Sequence, residues 1–180
     1  MINHHYIKVK APAEDVFPSL VLWGEAPWWP QGSPMVYTRL TEGADITPGC
    51  RYRQKVQKPF GPQWGVEVIS VTPGRELSFR FLDGMFRGQY RVYAIPTGEG
   101  CEVHFLMDYE VVGAGNKLAW KLFAFGQHEE SIRNILGALK AHIEGTPAAP
   151  ADKDEPEDAG RRELLLAAFK RKRKPNGLEP

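Results

Sequence analysis

The feature that most constrains this fold is a succession of short β-rich runs between residues 36 and 112. Val, Ile, Thr and aromatic residues recur in these runs, and turn residues such as Gly, Pro and Asp separate them at intervals of roughly ten residues. This spacing is typical of strands that pair consecutively in an antiparallel meander. The expected strands cover residues 36–41, 49–57, 64–71, 76–82, 89–95 and 101–112. We therefore predict one curved antiparallel sheet.

A further strand and short helices precede this series. Apolar and polar residues alternate over positions 6–10, which predicts a half-buried strand. Pro12 suits a first helical turn, the acidic Glu14 and Asp15 favour a helix N-terminus, and Pro18 limits the length of the helix. The sequence thus predicts short helices between the first two strands.

The last predicted strand has two chemically different faces. One face carries Cys101, Val103, Phe105, Met107, Tyr109 and Val111, and the other carries Glu102, His104, Leu106, Asp108 and Glu110. Because side chains alternate across a strand, the apolar face needs a cover. We expect the polar face, including His104, to be solvated.

A long amphipathic helix over residues 116–144 is predicted to be that cover. Its apolar stripe follows steps of three and four residues and consists of Leu118, Leu122, Phe125, Ile132, Leu136, Leu139 and Ile143. Glu129 interrupts the stripe, Gly145 is placed to end the helix, and Gly126 could permit a bend. The stretch 118–126 is apolar on almost every side. It is either a gate for an apolar ligand or, as we prefer, buried by the short helices.

The composition changes near Gly145. Residues 1–145 form one predicted domain, and residues 146–180 form an acidic linker followed by a basic tail. Within this tail, residues 161–174 carry seven basic side chains around a short apolar run. The tail is either solvated or docks on a membrane surface or a protein partner. The formal net charge of only +1 argues against nucleic acid as a partner.

Several classes of protein lack support in the sequence. Cys50 and Cys101 are too few for a disulfide scaffold and are expected to be buried thiols. No Cys/His spacing indicates a metal site, and no phosphate-binding loop or serine-hydrolase elbow is present, so we expect no metal or cofactor. The N-terminus does not read as a signal peptide, and no apolar stretch reaches the length of a membrane span, so we expect a cytoplasmic protein. Its oligomeric state is left open.

Four segments of the chain follow one another in a recognisable order. They are YIKVKAPAEDVFPSL followed by WW, then VEVISVTPGRELSFRF, GEGCEVHFLMDYEV and SIRNILGALKAHIEG. In this order they resemble the START-related superfamily of polyketide cyclases/dehydrases and lipid-transfer domains, over residues 4–145. The resemblance implies an α+β helix-grip fold, in which a curved antiparallel sheet wraps around the long C-terminal helix. It also implies a cavity for a hydrophobic small molecule between sheet and helix.

Candidate site residues follow from this picture. The residues expected to contact a ligand are Trp28, Trp29, Trp64, Phe79, Phe81, Tyr90, Phe105, Met107, Tyr109, Phe125, Glu129 and Ile132. A filled core is the alternative for the aromatic residues among them. Glu129, His128 and Tyr109 are the candidates for proton transfer, because a carboxylate or imidazole in a dry cavity could act as an acid or base. Glu129 could instead point outward and pair with Arg133.

Three functions remain open from the sequence. The first is binding or carrying a lipid-like or polyketide-like molecule without chemistry. The second is a cyclase or dehydrase that uses the cavity carboxylate or histidine. The third is an interaction module docked through the basic tail.

Overall fold

In the residues that the computed structural model describes, 1–43, 45–58 and 61–148, seven strands surround one long helix. The strands are β1 (Ile2–Val9), β2 (Met35–Arg39), β3 (Arg51–Val56), β4 (Gln63–Thr72), β5 (Glu76–Phe81), β6 (Phe86–Thr97) and β7 (Gly100–Val111). The helices are α1 (Ala13–Leu20), α2 (Ala114–Ala119), a π-helical turn (Trp120–Ala124) and α3 (Phe125–Glu144). This order is that of an α+β fold.

The strands form a single sheet in which every neighbouring pair is antiparallel. Its order is β1-β7-β6-β5-β4-β3-β2, so the last six strands are a meander and β1 closes on the final strand. The pairing of Ile7 with Val103 sets the register of that contact. The predicted helix-grip fold and its strand series are confirmed.

Helix α3 covers the concave face of the sheet. Its buried side chains Ile132, Ile135, Leu136 and Leu139 are at most 5% exposed. Removing each from water contributes about 1.5–3 kcal/mol to stability, so this stripe is a large part of the core. The helix ends at Gly145, whose φ of 66° is the left-handed conformation that glycine favours, as the sequence predicts.

The predicted long C-terminal helix is confirmed, but its geometry changes part-way along. The chain forms α2, changes to a π-helical turn and then continues as α3. A π turn shifts the angular phase of the residues that precede it relative to α3. As a result Leu118 and Leu122, wrongly assigned to the buried stripe, are 60% and 59% exposed. The preferred burial of the stretch 118–126 is also wrong for most of it, because Phe123 is 71% exposed as well and Trp120 is its one buried residue. Between β1 and β2, where short helices were predicted, the described part of the chain has one helix, α1.

The prediction that His104 is solvated is wrong as well. Its ring lies on the convex face but is only 1% exposed, because it stacks on Tyr93 of β6 at 4.9 Å and on His4 and Tyr6 of β1 at 5.2 and 5.4 Å. These separations are close to the spacing of neighbouring strands, so upright flat rings on adjacent strands exclude water from one another. Glu102, with Oε2 3.4 Å from His104 Nε2, is buried in the same layer.

The structure also bears on the predictions about the two cysteines and about membrane spans. Cys50 and Cys101 are both free thiols and both buried, as predicted. No helix within residues 1–148 that the structure describes is long and apolar enough to cross a membrane.

The different burial of two leucines gives a test of the packing. Replacing the fully buried Leu139 by alanine should lower the free energy of unfolding by about 2–5 kcal/mol, because it leaves a cavity between α3 and the sheet. The matched Leu122→Ala change should cost less than about 0.5 kcal/mol, since that side chain is already in water. Urea unfolding of both variants measures the difference. Equal losses would contradict the phase of the helix described above.

Candidate ligand site

Two adjoining cavities lie between α3 and the strands. The inner cavity measures about 20 Å³ and is lined by Met35, Tyr37, Gln54, Trp64, Phe81, Phe86, Tyr90, Phe105, Met107, His128, Ser131, Ile132 and Ile135. The mouth cavity measures about 220 Å³ and is lined by Pro34, Met35, Val56, Lys58, Gly61, Pro62, Trp64, Met85, Trp120, Ala124, Gln127, His128 and Ser131. The larger space therefore lies at the edge of the fold, beside the π turn.

Four residues belong to both cavities: Met35, Trp64, His128 and Ser131. They form the wall that separates the inner cavity from the mouth cavity. The inner cavity has room for about one water molecule, because aromatic side chains fill the space between sheet and helix. The filled-core alternative therefore describes the centre of the fold, and the open space lies in the mouth.

The polar groups of the inner cavity bond to one another. Trp64 Nε1 donates to Gln54 Oε1 at 2.6 Å, and Gln54 Nε2 donates to the Tyr90 hydroxyl at 2.7 Å. Burial raises the pKa of Tyr37 to about 12, and burial together with the neighbouring Tyr37 raises the pKa of Tyr90. Both phenols are thus neutral at physiological pH. The inner cavity presents dipoles without charge, which an apolar molecule tolerates.

His128 is the polar side chain at the junction of the cavities that has an unused hydrogen-bonding atom. Its Nε2 is buried and has no hydrogen-bond partner among the described residues. Burial, helped by nearby His5, lowers the pKa of His128 to about 3, so the imidazole is neutral at pH 7. A neutral imidazole has one donor and one acceptor nitrogen. The site can therefore offer a bound molecule one hydrogen bond without a charge.

The roof of the mouth cavity is residues 114–124, which we call the roof segment. Trp120 is the buried residue of this segment, and its Nε1 donates to the Tyr109 hydroxyl at 3.1 Å. Trp120 also packs perpendicular to Phe86, with ring centroids 4.9 Å apart. Tyr109, a candidate for proton transfer, thus accepts a hydrogen bond that holds the roof segment on β7.

A second polar group of side chains lies beside the cavities, at the β1 edge of the sheet. Asn3 Nδ2 donates to Glu129 Oε1 at 3.4 Å, and His5 is on the same side of β1. Burial, with contributions from Arg133 and His4, lowers the pKa of His5 to about 4. Glu129 faces this edge, and neither cavity is lined by it.

The structure separates the predicted ligand residues into groups. The inner cavity is lined by six of them: Trp64, Phe81, Tyr90, Phe105, Met107 and Ile132. Trp28 and Trp29 instead line a separate groove of about 460 Å³ with residues of α3 such as Ala138. Phe79, Tyr109, Phe125 and Glu129 line neither cavity. The predicted set is thus brought together only in part.

Sequence reasoning missed several residues of the mouth. Met85, Trp120 and Gln127 line it although none was selected from the sequence. Trp120 was missed because the predicted apolar stripe began at Leu118 and assumed a uniform α-helix, in which Trp120 falls outside the stripe. Steps of four back from the buried Ile132 and Ile135 lead to His128 and Ser131, whereas a step of three back from Ile132 leads to Glu129, so the spacing alone does not choose between His128 and Glu129.

Within residues 1–43, 45–58 and 61–148, no three His, Cys, Asp or Glu side chains come together in a way that could hold a metal ion.

Most of the chain matches a known protein family. A family model described as polyketide cyclase / dehydrase and lipid transport matches residues 4–144. The chain belongs to this family. No curated protein matches the chain in sequence.

Solved structures share the fold of this family member at low sequence identity. TTHA0849 from Thermus thermophilus is 17% identical, with a TM-score of 0.60 over 81% of this chain and 97% of that one. The KanY protein is 18% identical, with a TM-score of 0.61 over 81% and 98%. A norcoclaurine synthase of Thalictrum flavum, solved as a point mutant with a transition state analogue, is 17% identical, with a TM-score of 0.59 over 81% and 94%. These likenesses show the fold.

Two histidines beside the cavities make stability depend on pH. The pKa of His128 is lowered to about 3 and that of His5 to about 4, from an ordinary value of 6.5. Below pH 6.5 the unfolded chain takes up protons that the folded protein does not. The free energy of unfolding should therefore fall as the pH drops from 6.5 toward 4, by up to about 1.4 kcal/mol per pH unit for each histidine. Urea unfolding at pH 7, 6 and 5 measures this slope.

Replacing His128 by glutamine shows how much of the pH dependence of stability comes from His128. The His128→Gln variant should lose about half of the slope between pH 6 and pH 5, because one of the two proton-binding sites of the unfolded chain is removed. His142→Gln, at an exposed histidine of the same helix, is the matched control. A slope that is the same in wild type and His128→Gln would show that the His128 imidazole does not resist protonation in the fold.

Proposed function

We propose that the protein binds an apolar ring compound, one or two rings in size and with one polar substituent, in the mouth cavity. The observation that carries the proposal is the composition of this cavity. Its walls are mainly apolar, with Met35, Trp64, Met85 and Trp120 among them, and the neutral His128 lies where the mouth meets the inner cavity. Binding would be driven by burial of apolar ligand surface, and the polar groups would orient the ligand.

The volume of the mouth limits the size of the ligand. An apolar cavity of about 150 Å³ in a protein holds benzene, and cavities for drug-sized ligands start at about 300 Å³. The mouth cavity of about 220 Å³ falls between these two sizes. A long acyl chain would require the roof segment to move, because the inner cavity of about 20 Å³ offers no further space. A compact ring system is therefore favoured over a lipid chain.

The polar groups of the mouth favour one polar substituent on that ring. Lys58 Nζ already donates to Gln127 Oε1 at 2.8 Å, so these two groups are bonded to each other at the rim. His128 Nε2 is the buried atom that remains to be satisfied. A hydroxyl or carbonyl on the ligand would satisfy it, and this would remove the cost of an unpaired buried polar group.

Binding is favoured over a cyclase or dehydrase reaction by the chemistry of the same residues. A general base works best when its pKa lies near the working pH, and the pKa of His128 is about 3. Glu129 is bonded to Asn3 at the sheet edge, and neither cavity has an Asp or Glu in its lining. The related norcoclaurine synthase structure contains a transition state analogue, which supports a small-molecule site in this fold without assigning chemistry to this chain.

The third interpretation, docking through residues 161–174, stays a prediction, because these residues lie outside the described part of the chain.

Filling the mouth tests the proposed site. The Ala124→Phe variant places a ring in the mouth cavity and should weaken binding of 2-naphthol at least about tenfold by taking its space. Ala119→Phe, on the exposed side of the same segment, is the matched control and should change the affinity less than about twofold. Titration followed by tryptophan fluorescence, together with thermal unfolding of both variants, gives the result. Wild-type protein that binds palmitate but not 2-naphthol would overturn the proposed ligand size.

The role of His128 is tested with two ligands that differ by one hydroxyl. We expect His128→Phe to weaken 2-naphthol by about fivefold to tenfold and to leave naphthalene within about twofold, because only 2-naphthol loses a hydrogen bond. His142→Phe, outside both cavities, is the control. Isothermal titration of wild type and both variants with each ligand measures the six affinities. An equal loss for both ligands would mean that His128 contributes shape and no hydrogen bond.

A further inference from the structure

The outer face of the roof segment exposes three large apolar side chains within six residues. Leu118, Leu122 and Phe123 are 60%, 59% and 71% exposed. Elsewhere in the described chain, exposed large apolar residues are separated along the sequence, as Leu40 and Leu82 are. Single exposed apolar residues are ordinary, whereas a cluster of them marks a surface that meets an apolar partner.

The same segment is also apolar on its inner side. Trp120 and Ala124 line the mouth cavity, and Trp120 is held there by its hydrogen bond to Tyr109. Residues four apart share a side of a helix, so an inward Trp120 and Ala124 leave Leu118 and Leu122 on the outside. A helical segment that is apolar on both sides belongs in a protein core or against lipid. In the described part of this fold, only the inner side has protein to cover it.

Positive charge lies beside the exposed apolar cluster. Lys117 and Lys121 each precede one of the two leucines and are both exposed. Lys117 Nζ lies 3.8 Å from Glu110 Oε1, with both side chains more than half exposed, so this ion pair is weak in water. Lysine beside leucine and phenylalanine on one helical face is typical of segments that lie on an anionic bilayer.

We propose that the roof segment docks on the surface of an anionic lipid bilayer. Leu118, Leu122 and Phe123 enter the headgroup region, and Lys117 and Lys121 meet the lipid phosphates. A second copy of the chain fits this face less well, because a twofold contact would bring the same lysines of both copies together. The face lies far from the end of the domain at Gly145, since α3, with 20 residues, places about 30 Å between the roof segment and that residue.

Docking in this way puts the opening of the mouth cavity next to the bilayer. Trp120 and Ala124 form the inner side of the same segment whose outer side meets the lipid. A ligand that partitions into the bilayer would reach the mouth with little exposure to water. The docking proposal itself rests on exposure and charge and does not depend on the ligand proposed above.

Co-sedimentation of the full chain with vesicles tests the proposal. Wild-type protein should bind vesicles of 30% phosphatidylserine in phosphatidylcholine more tightly than vesicles of phosphatidylcholine alone. The triple variant Leu118→Ser, Leu122→Ser, Phe123→Ser should lose at least about tenfold in partitioning. Lys117→Gln and Lys121→Gln should each lose about fivefold on the anionic vesicles alone.

Matched controls separate this face from the rest of the molecule. The variant Leu40→Ser removes an exposed leucine just beyond the end of β2 that lies opposite to Met35 of the mouth cavity, and it should bind vesicles as wild type does. A variant with glutamine at positions 170–174 removes charge from the tail, and the triple serine change should still weaken binding in that background. The triple variant should unfold at the same urea concentration as wild type, because the three side chains are exposed, and this shows that its fold is intact.

Three results would overturn the proposal. The first is vesicle binding by the triple variant that equals that of wild type. The second is binding that only the tail variant weakens. The third is a dimer, detected by size exclusion with light scattering, that the triple variant abolishes while neither protein binds vesicles.

Discussion

The packing of the α3 stripe against the concave sheet is the interaction on which the other features depend. Ile132, Ile135 and Leu139 fix the rotation of the helix, since turning it would bring polar side chains into the core. The same rotation determines what lies one turn earlier. His128 and Ser131 continue the buried stripe at its N-terminal end, where the side chains change from apolar to polar. The polar groups of the site therefore stand at the end of the hydrophobic core, and the core and the mouth share a wall.

Charge and neutral polarity are segregated between the two faces of the sheet. On the convex face, Glu67 accepts hydrogen bonds from Arg51 at 3.0 Å and Arg80 at 2.8 Å, and these arginines, Arg51 first, hold the pKa of that carboxyl below its usual value. On the concave side, Tyr90 and His128 are neutral at pH 7. The ionised Glu67 lies where arginines and water stabilise its charge, and the inner cavity keeps only dipoles, because a buried charge costs far more than a buried dipole. The ligand proposed for the mouth is apolar because the interior beside the mouth is neutral and mainly apolar.

Trp120 holds the roof segment against the rest of the fold. Trp120 contacts Tyr109, Phe86 and His128, with centroid distances of 5.7, 4.9 and 5.3 Å, and so anchors the π turn on the sheet. Its neighbours Leu122 and Phe123 point away from that anchor and are exposed. The π turn allows Trp120 to point inward while Leu122 and Phe123 point outward. Its extra residue per turn rotates the side chains of α2 about the helix axis relative to those of α3. One short segment thus closes the ligand cavity and presents an apolar surface outside it.

Local pattern alone determined the strand series, the antiparallel pairing, the short helix after β1 and the end of α3 at Gly145, because alternation, turn residues and helix caps act over a few neighbouring residues. The presence of a cavity was predicted from the resemblance to a family, and its position was found only in the folded structure. Tertiary structure decided that the long helix changes geometry at Trp120, that His128 rather than Glu129 lines the cavities, and that His104 is buried. The first two depend on a shift of one residue in helical phase, and the third depends on rings from three strands. None of these can be read from one segment, since each is set by partners that are distant in sequence and meet only in the folded chain.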